Sequence, residues 1–187
     1  MTTYHLISII LAVICFASTM ILGFFTDILH GSGIDSPYSF SKSQLWLWTM
    51  VIIPAFILHW GFGKDAYPSI NSTSLILLGI SAATTVAASG VAKSQNDLAT
   101  TGTKLKAMLS TNGFWTDILT DDIGNLSLVR LQQFLFTLIY ITVYLSVFFK
   151  DNSMQYPDFT NGGKDYSAFV LMGISTGTYV LGKSLNK

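Results

Sequence analysis

The stretch TDIL at Thr26–Leu29, followed by SKSQLWLWT at Ser41–Thr49 and LLGISAAT at Leu77–Thr84, decides how this chain is read, because it comes twice. The second copy is TDIL at Thr116–Leu119, then LVRLQQFLFT at Leu128–Thr137, then LMGISTGT at Leu171–Thr178. Between the second and third landmarks each copy also carries KD and YP. These are Lys64, Asp65, Tyr67 and Pro68 in the first copy, and Lys150, Asp151, Tyr156 and Pro157 in the second. The landmarks keep their order, while the offset between copies drifts from 90 to 88 to 86 and then 94 residues, as small loop insertions produce. A hydrophobic helical hairpin written twice is the pattern of a polytopic membrane protein built by duplication.

Composition agrees with a bilayer as the solvent. The chain has 187 residues, 50% of them hydrophobic and 11% charged, with a mean hydropathy of +0.51. Soluble domains carry roughly 25% charged residues, so this chain lacks the polar surface for a water-facing shell. Formal net charge is zero, which leaves no basic footprint for nucleic acid. All ten acids are Asp, and Arg130 is the only Arg among ten basic residues. The single Cys15 sits in an apolar run and reads as a small packing residue rather than a disulfide partner.

Five apolar segments approach the ~20 residues that a helix needs to span the hydrocarbon core: 4–25, 44–60, 72–91, 126–149 and 166–185. The first has no Lys or Arg before it and is longer than the apolar core of a secretory signal, so it is expected to be a retained transmembrane helix. The second places Trp46, Trp48 and Trp60 toward its ends, where interfacial Trp is enriched, and Pro54 is expected to kink it. Before the second and fourth segments, each TDIL follows an aromatic residue (Phe25; Phe114 and Trp115), which suits a short helix lying at the interface. In 94–115, Leu98, Leu105, Met108 and Leu109 share one helical face, compatible with a surface helix or with an unstructured linker.

Counting basic residues on alternate sides gives an orientation. One side receives Lys42, Lys93, Lys104, Lys106, Arg130, Lys183 and Lys187, and the other receives Lys64, Lys150 and Lys164. This split predicts an external N-terminus and a cytoplasmic C-terminus. Both hairpins then start on the cytoplasmic side, so the repeats are parallel rather than inverted.

The paired GIS motifs are the strongest local signal. Gly79, Ser81, Ala83 and Thr84 in the third segment match Gly173, Ser175, Gly177 and Thr178 in the fifth. Small residues four apart let helix backbones approach closely, and hydroxyls can bond across the contact; the other reading is a hydroxyl-lined pore or substrate path. Lys42 and Arg130, near Gln44 and Gln132 at the start of segments two and four, are expected to anchor those helices by reaching headgroup phosphates, with Trp46 and Trp60 as interfacial companions. Asp121, Asp122, Gly124 and Asn125 read as an Asx-type turn rather than a cation loop. Only His5 and His59 fall within the spans, near boundaries, which argues against a proton-coupled pathway. No cluster of metal ligands, no phosphate loop and no activated nucleophile is found, so no enzyme, metal or cofactor is expected.

The combination of a basic residue two before Gln at a helix start, KD and Pro in the turn, and GIS in the next helix resembles a group of small bacterial polytopic membrane proteins of no assigned activity. Arg130, Gln132, Gly173, Ser175, Gly177, Thr178 and Tyr179 carry the likeness, which spans about 26–93 and 116–187. It implies a bacterial inner-membrane location and nothing about activity.

The expected fold is all-α, with five transmembrane helices. Residues 1–25 form an N-terminal helix, 26–93 a first two-helix repeat, 94–115 a cytoplasmic linker and 116–187 a second two-helix repeat. The expected protein is a homo-oligomer that anchors or scaffolds a soluble cytoplasmic partner. The alternative is an oligomeric pore or channel, including a membrane effector of a bacterial defence system, with a small-solute transporter third.

Overall fold

The computed structural model describes residues 3–31, 36–63, 69–99, 111–121, 125–150 and 154–160, and all of 166–181 except 168, 171, 172, 175, 176 and 179; at 92 and 94–99 only the backbone is described. Among these the architecture is all-helical: α1 (Thr3–Phe25), α2 (Phe40–Phe62), α3 (Ser72–Ala99), the short α4 (Phe114–Leu119) and α5 (Leu128–Phe148), with a single 3-10 turn at Asp27–Leu29. The described residues from 167 to 181 are helical too. Two isolated β-bridges, His30 with Tyr38 and Thr120 with Leu126, close the loops that precede α2 and α5.

Four helices have the length and hydropathy to cross a bilayer: Thr3–Phe25, Phe40–Phe62, Ser72–Val91 and Leu128–Phe148. A 23-residue helix such as α1 is about 34 Å long at 1.5 Å per residue, a little more than the ~30 Å hydrocarbon core. Only 17–28% of each apolar window is buried within the bundle. The outward surface of α1 is a run of large apolar side chains, among them Ile7, Ile10, Ile14, Ile21 and Phe25, as lipid contact requires. The helix α3 continues past its apolar part through Lys93 to Ala99, beyond the boundary at 93 expected from sequence. The segment Ser94–Ala99 has no Gly or Pro to end a helix.

Side-chain contacts fix the directions of the helices. Trp46 Nε1 donates to Thr19 O at 2.8 Å near one end of the α1–α2 pair, while a Cβ on Gly61 would lie 1.9 Å from Ser8 Oγ near the other, so α1 and α2 are antiparallel. Thr85 Oγ1 reaches Ser41 O at 3.1 Å, making α3 antiparallel to α2. Ser74 Oγ and Tyr144 Oη lie 2.8 Å apart, joining the start of α3 to the end of α5. The starts of α2 and α5 meet through Gln44 and Thr137, so these two helices run parallel. Trp48, Ile52, Leu77, Tyr144, Phe148 and Phe169 form the main core between them.

The segment 154–160 crosses the far end of the bundle. His59 Nδ1 lies 2.8 Å from Met154 O, Asn71 Nδ2 donates to Pro157 O, and Thr73 Oγ1 accepts from Phe159 N. Tyr156 Oη donates to Ser69 O at 2.9 Å. Burial raises the Tyr156 pKa and the nearby Tyr144 adds to the shift, so the hydroxyl keeps its proton and remains a donor. Asn71 also caps α3 by accepting from Ser74 N. Pro54 lies within α2, a position that removes one backbone donor from the ladder.

Candidate functional site: a buried amide pair and the loops that frame it

The most polar part of the interior lies where α2 meets α5. Gln133 Nε2 donates to Gln44 Oε1 at 2.9 Å, Gln44 Nε2 donates to Thr137 Oγ1 at 3.1 Å, and Thr137 Oγ1 donates to Gln133 O at 2.9 Å. All three side chains are buried. The i, i+4 spacing of Gln133 and Thr137 puts both on one face of α5. In an apolar surround an amide without a partner is costly, and Gln44 and Gln133 bond each other across the two helices. A cavity of about 10 Å³ adjoins them, framed by Phe40, Ser43, Gln44 and Leu47 of α2 and by Phe114, Ile118, Phe134 and Thr137 of α4 and α5. That volume is at the threshold for a single water. The arrangement is suited to holding two helices in register.

The loops at this end repeat each other bond by bond. Before α2, Ser39 N donates to Leu29 O and Gly31 N to Pro37 O; before α5, Ser127 N donates to Leu119 O and Asp121 N to Asn125 O. Lys42 Nζ donates to His30 O at 2.6 Å, and Arg130 Nη1 donates to Thr120 O. Both cations sit at the third position of their helices and close the loop onto its start. They are expected anchors from sequence, and here each also fastens its own loop. Asn125 N donates to Asp121 Oδ1 at 2.9 Å, a bond across four residues rather than the two of an Asx turn.

The two TDIL aspartates, in contrast, live in different surroundings. Asp117 is 6% exposed and accepts from Tyr38 N, Thr111 Oγ1 and Asn112 N at 3.2, 2.6 and 3.1 Å. One carboxylate thus ties the loop before α2 to the segment entering α4. The Tyr38 ring packs edge-on against Phe114 at 5.2 Å. Asp27, its counterpart in sequence, is fully exposed and lies 3.6 Å from His30 Nδ1.

The GIS residues divide between two faces. Ser81 and Thr84 are buried, with Thr84 Oγ1 bonded to Ile80 O at 2.7 Å. Gly79 and Ala83 face outward, and a Cβ on Gly79, Gly173 or Gly177 would meet nothing within 4 Å. Thr178 Oγ1 bonds back to Ile174 O. Ser175 lies outside the described residues, as do Lys64, Asp65, Tyr67, Pro68 and Asp151 and most of the 94–115 linker's side chains. Among the described residues an added Cβ is crowded at Gly61, against Ser8, and at Gly23, where it would lie 2.5 Å from the Trp46 ring. Trp46 and Trp60 are both half-buried. Gln133, rather than Gln132, faces Gln44; Gln132 points outward. The buried residues of α1 are Ser8, Ala12 and Gly23, so a small-xxx-small pair at Ser8 and Ala12 was present in the sequence to mark this contact.

Among the described residues no group of three His, Cys, Asp or Glu side chains comes together to hold a metal. The chain matches no protein-family model, no curated protein and no solved structure.

Proposed function

We propose that this protein is a non-catalytic, multi-pass membrane scaffold, a tandem duplication with five spans, that works as a homo-oligomer and presents its 94–115 segment to a soluble partner. The observation that carries the reading is the Asp117 knot. Its carboxylate grips the end of that segment at Thr111 and Asn112 and, at the same time, the loop before α2, so the segment's last residues are tied to the bundle. The Gln44–Gln133 bond supports it further, because polar groups of the interior serve as glue between helices. The bond-for-bond match of the two loops supports the duplication, and the parallel course of α2 and α5 supports hairpins that both start on one side. The Lys and Arg split supports a cytoplasmic location for that side, and the likeness to bacterial membrane proteins supports an inner-membrane setting.

An oligomeric pore is the second reading, favoured by the outward small-residue face of α3 at Gly79 and Ala83. Ion flux into liposomes separates the two. The scaffold predicts permeability at the level of protein-free vesicles, and removal of residues 100–110 leaves insertion and oligomer size unchanged while partner binding is lost. Stepwise conductance in a planar bilayer would overturn the scaffold and put the pore first.

A further inference from the structure

We infer that copies of this chain associate head to tail, using at their free ends the same two faces that join the hairpins inside one chain. The inference rests on the homo-oligomer proposed above and specifies its contact. Inside the chain, Phe40 and Gln44 of the first hairpin meet Phe114, Ile118 and Thr137 of the second around the small cavity, and Tyr38 N donates to Asp117. The offsets of 90 residues before the bridges and 88 after them give every one of these positions a counterpart.

Several of the counterparts lie uncovered. Phe40 is 3% exposed and its counterpart Leu128 is 76% exposed; Ile118 is 1% exposed and its counterpart Ile28 is 58%. Leu126, the counterpart of Tyr38, is 82% exposed, and Gln132, the counterpart of Gln44, is exposed as well. Phe24 and Asp27 stand where Phe114 and Asp117 stand in the second hairpin; Asp27 is fully exposed, and Phe24 is 51% exposed with one side of its ring on Trp46 and Phe114. One face is thus Leu126, Leu128 and Gln132; the other is Phe24, Asp27 and Ile28. The Asp27 carboxylate is fully exposed, and the Leu126 N–H holds the position from which the Tyr38 N–H serves Asp117.

Two different, complementary faces on one molecule make a heterologous contact, which builds a ring if the rotation closes. The contact between copies is shorter than the internal one. Trp46, the counterpart of Phe134, is covered by α1 through its bond to Thr19 O, so the association is confined to the loop end of the bundle.

Cysteine cross-linking in native membranes tests this, in a background with Cys15 replaced by Ser. Phe40→Cys with Ile118→Cys is the internal control and should join within one chain. Ile28→Cys with Leu128→Cys, at exposed positions that the fold does not depend on, should give a ladder of dimers and larger species on oxidation. Co-expressed single variants should give dimers only when mixed. A dimer from Leu128→Cys alone would overturn the head-to-tail arrangement in favour of a two-fold one. An oligomer that persists with no cross-link from the pair would overturn this contact and leave the homo-oligomer standing, whereas a monomer by mass in nanodiscs would sink the oligomer itself.

Discussion

At Gly61 the absence of a side chain is a structural requirement. A Cβ there would lie 1.9 Å from Ser8 Oγ and 2.1 Å from Ser8 Cβ, and a neighbour's Cβ cannot move away without moving α1. Gly61→Ala should therefore cost about 1–3 kcal/mol, the usual cost of overpacking, read as loss of resistance to denaturing detergent; Ser8→Gly in the same chain should recover much of it. Gly79→Ala has no neighbour within 4 Å and should leave the monomer's stability unchanged. If the two glycines respond alike, the α1–α2 approach is not where the bundle is tight. Gln44 gives a second residue-scale test. Gln44→Leu removes the acceptor of the Gln133 Nε2 bond, and membrane hydrogen bonds of this kind average ~0.6 kcal/mol with a maximum near 1.7. The double change with Gln133→Leu should cost less than the sum of the single changes, and strict additivity in a double-mutant cycle would contradict the pairing. The sequence marked Gly79, Gly173 and Gly177 as contact glycines and passed over Gly61. A GxxxG-like row shows only that one helix has a small face, not which helix lies opposite, and Gly61 stands isolated between Trp60 and Phe62.

Among the elements, the repeated loops are the most legible part of the chain and the least uniform in consequence. TDIL and the cation two residues into the following helix could be read directly, because local backbone closure depends on local residues. That one aspartate would be buried and the other open could not, since burial depends on which segments arrive from a distance: Tyr38 N comes from 79 positions away. Asp117→Ala removes an acceptor shared by three donors and should cost on the order of 3 kcal/mol, as loss of hydrogen bonds to a buried charged group does. Proteolysis of the 100–110 segment, monitored by mass spectrometry, should become faster in that variant. Asp27→Ala, at a fully exposed carboxylate away from that segment, should leave its proteolysis unchanged. Equal protease sensitivity in the two variants would remove the Asp117 knot as the device that holds the segment in place.

For the molecule as a whole, hydropathy and periodicity delivered the all-helical architecture and its apolar spans, because a helix that satisfies its own backbone is one of the few solutions a bilayer permits. They could not deliver the partner of each helical face, since lipid and protein interiors are equally apolar. The two loop systems do lie at opposite ends of the bundle: 111–121 beside Tyr38, and 154–160 beside His59 and Asn71. The proposed orientation, taken from the seven-to-three division of Lys and Arg, puts the first end in the cytoplasm. Asn112 and Gln155 are exposed at the two ends, and each can carry a single cysteine once Cys15 is replaced by Ser. In intact cells an impermeant maleimide should label Gln155→Cys and leave Asn112→Cys untouched until the membrane is permeabilised. The reverse pattern would invert the molecule and move the 94–115 segment outside, where a cytoplasmic partner could not reach it. Labelling of both sites in intact cells would mean that the two loops do not lie on opposite sides of a sealed bilayer, and the multi-pass reading would fall with it.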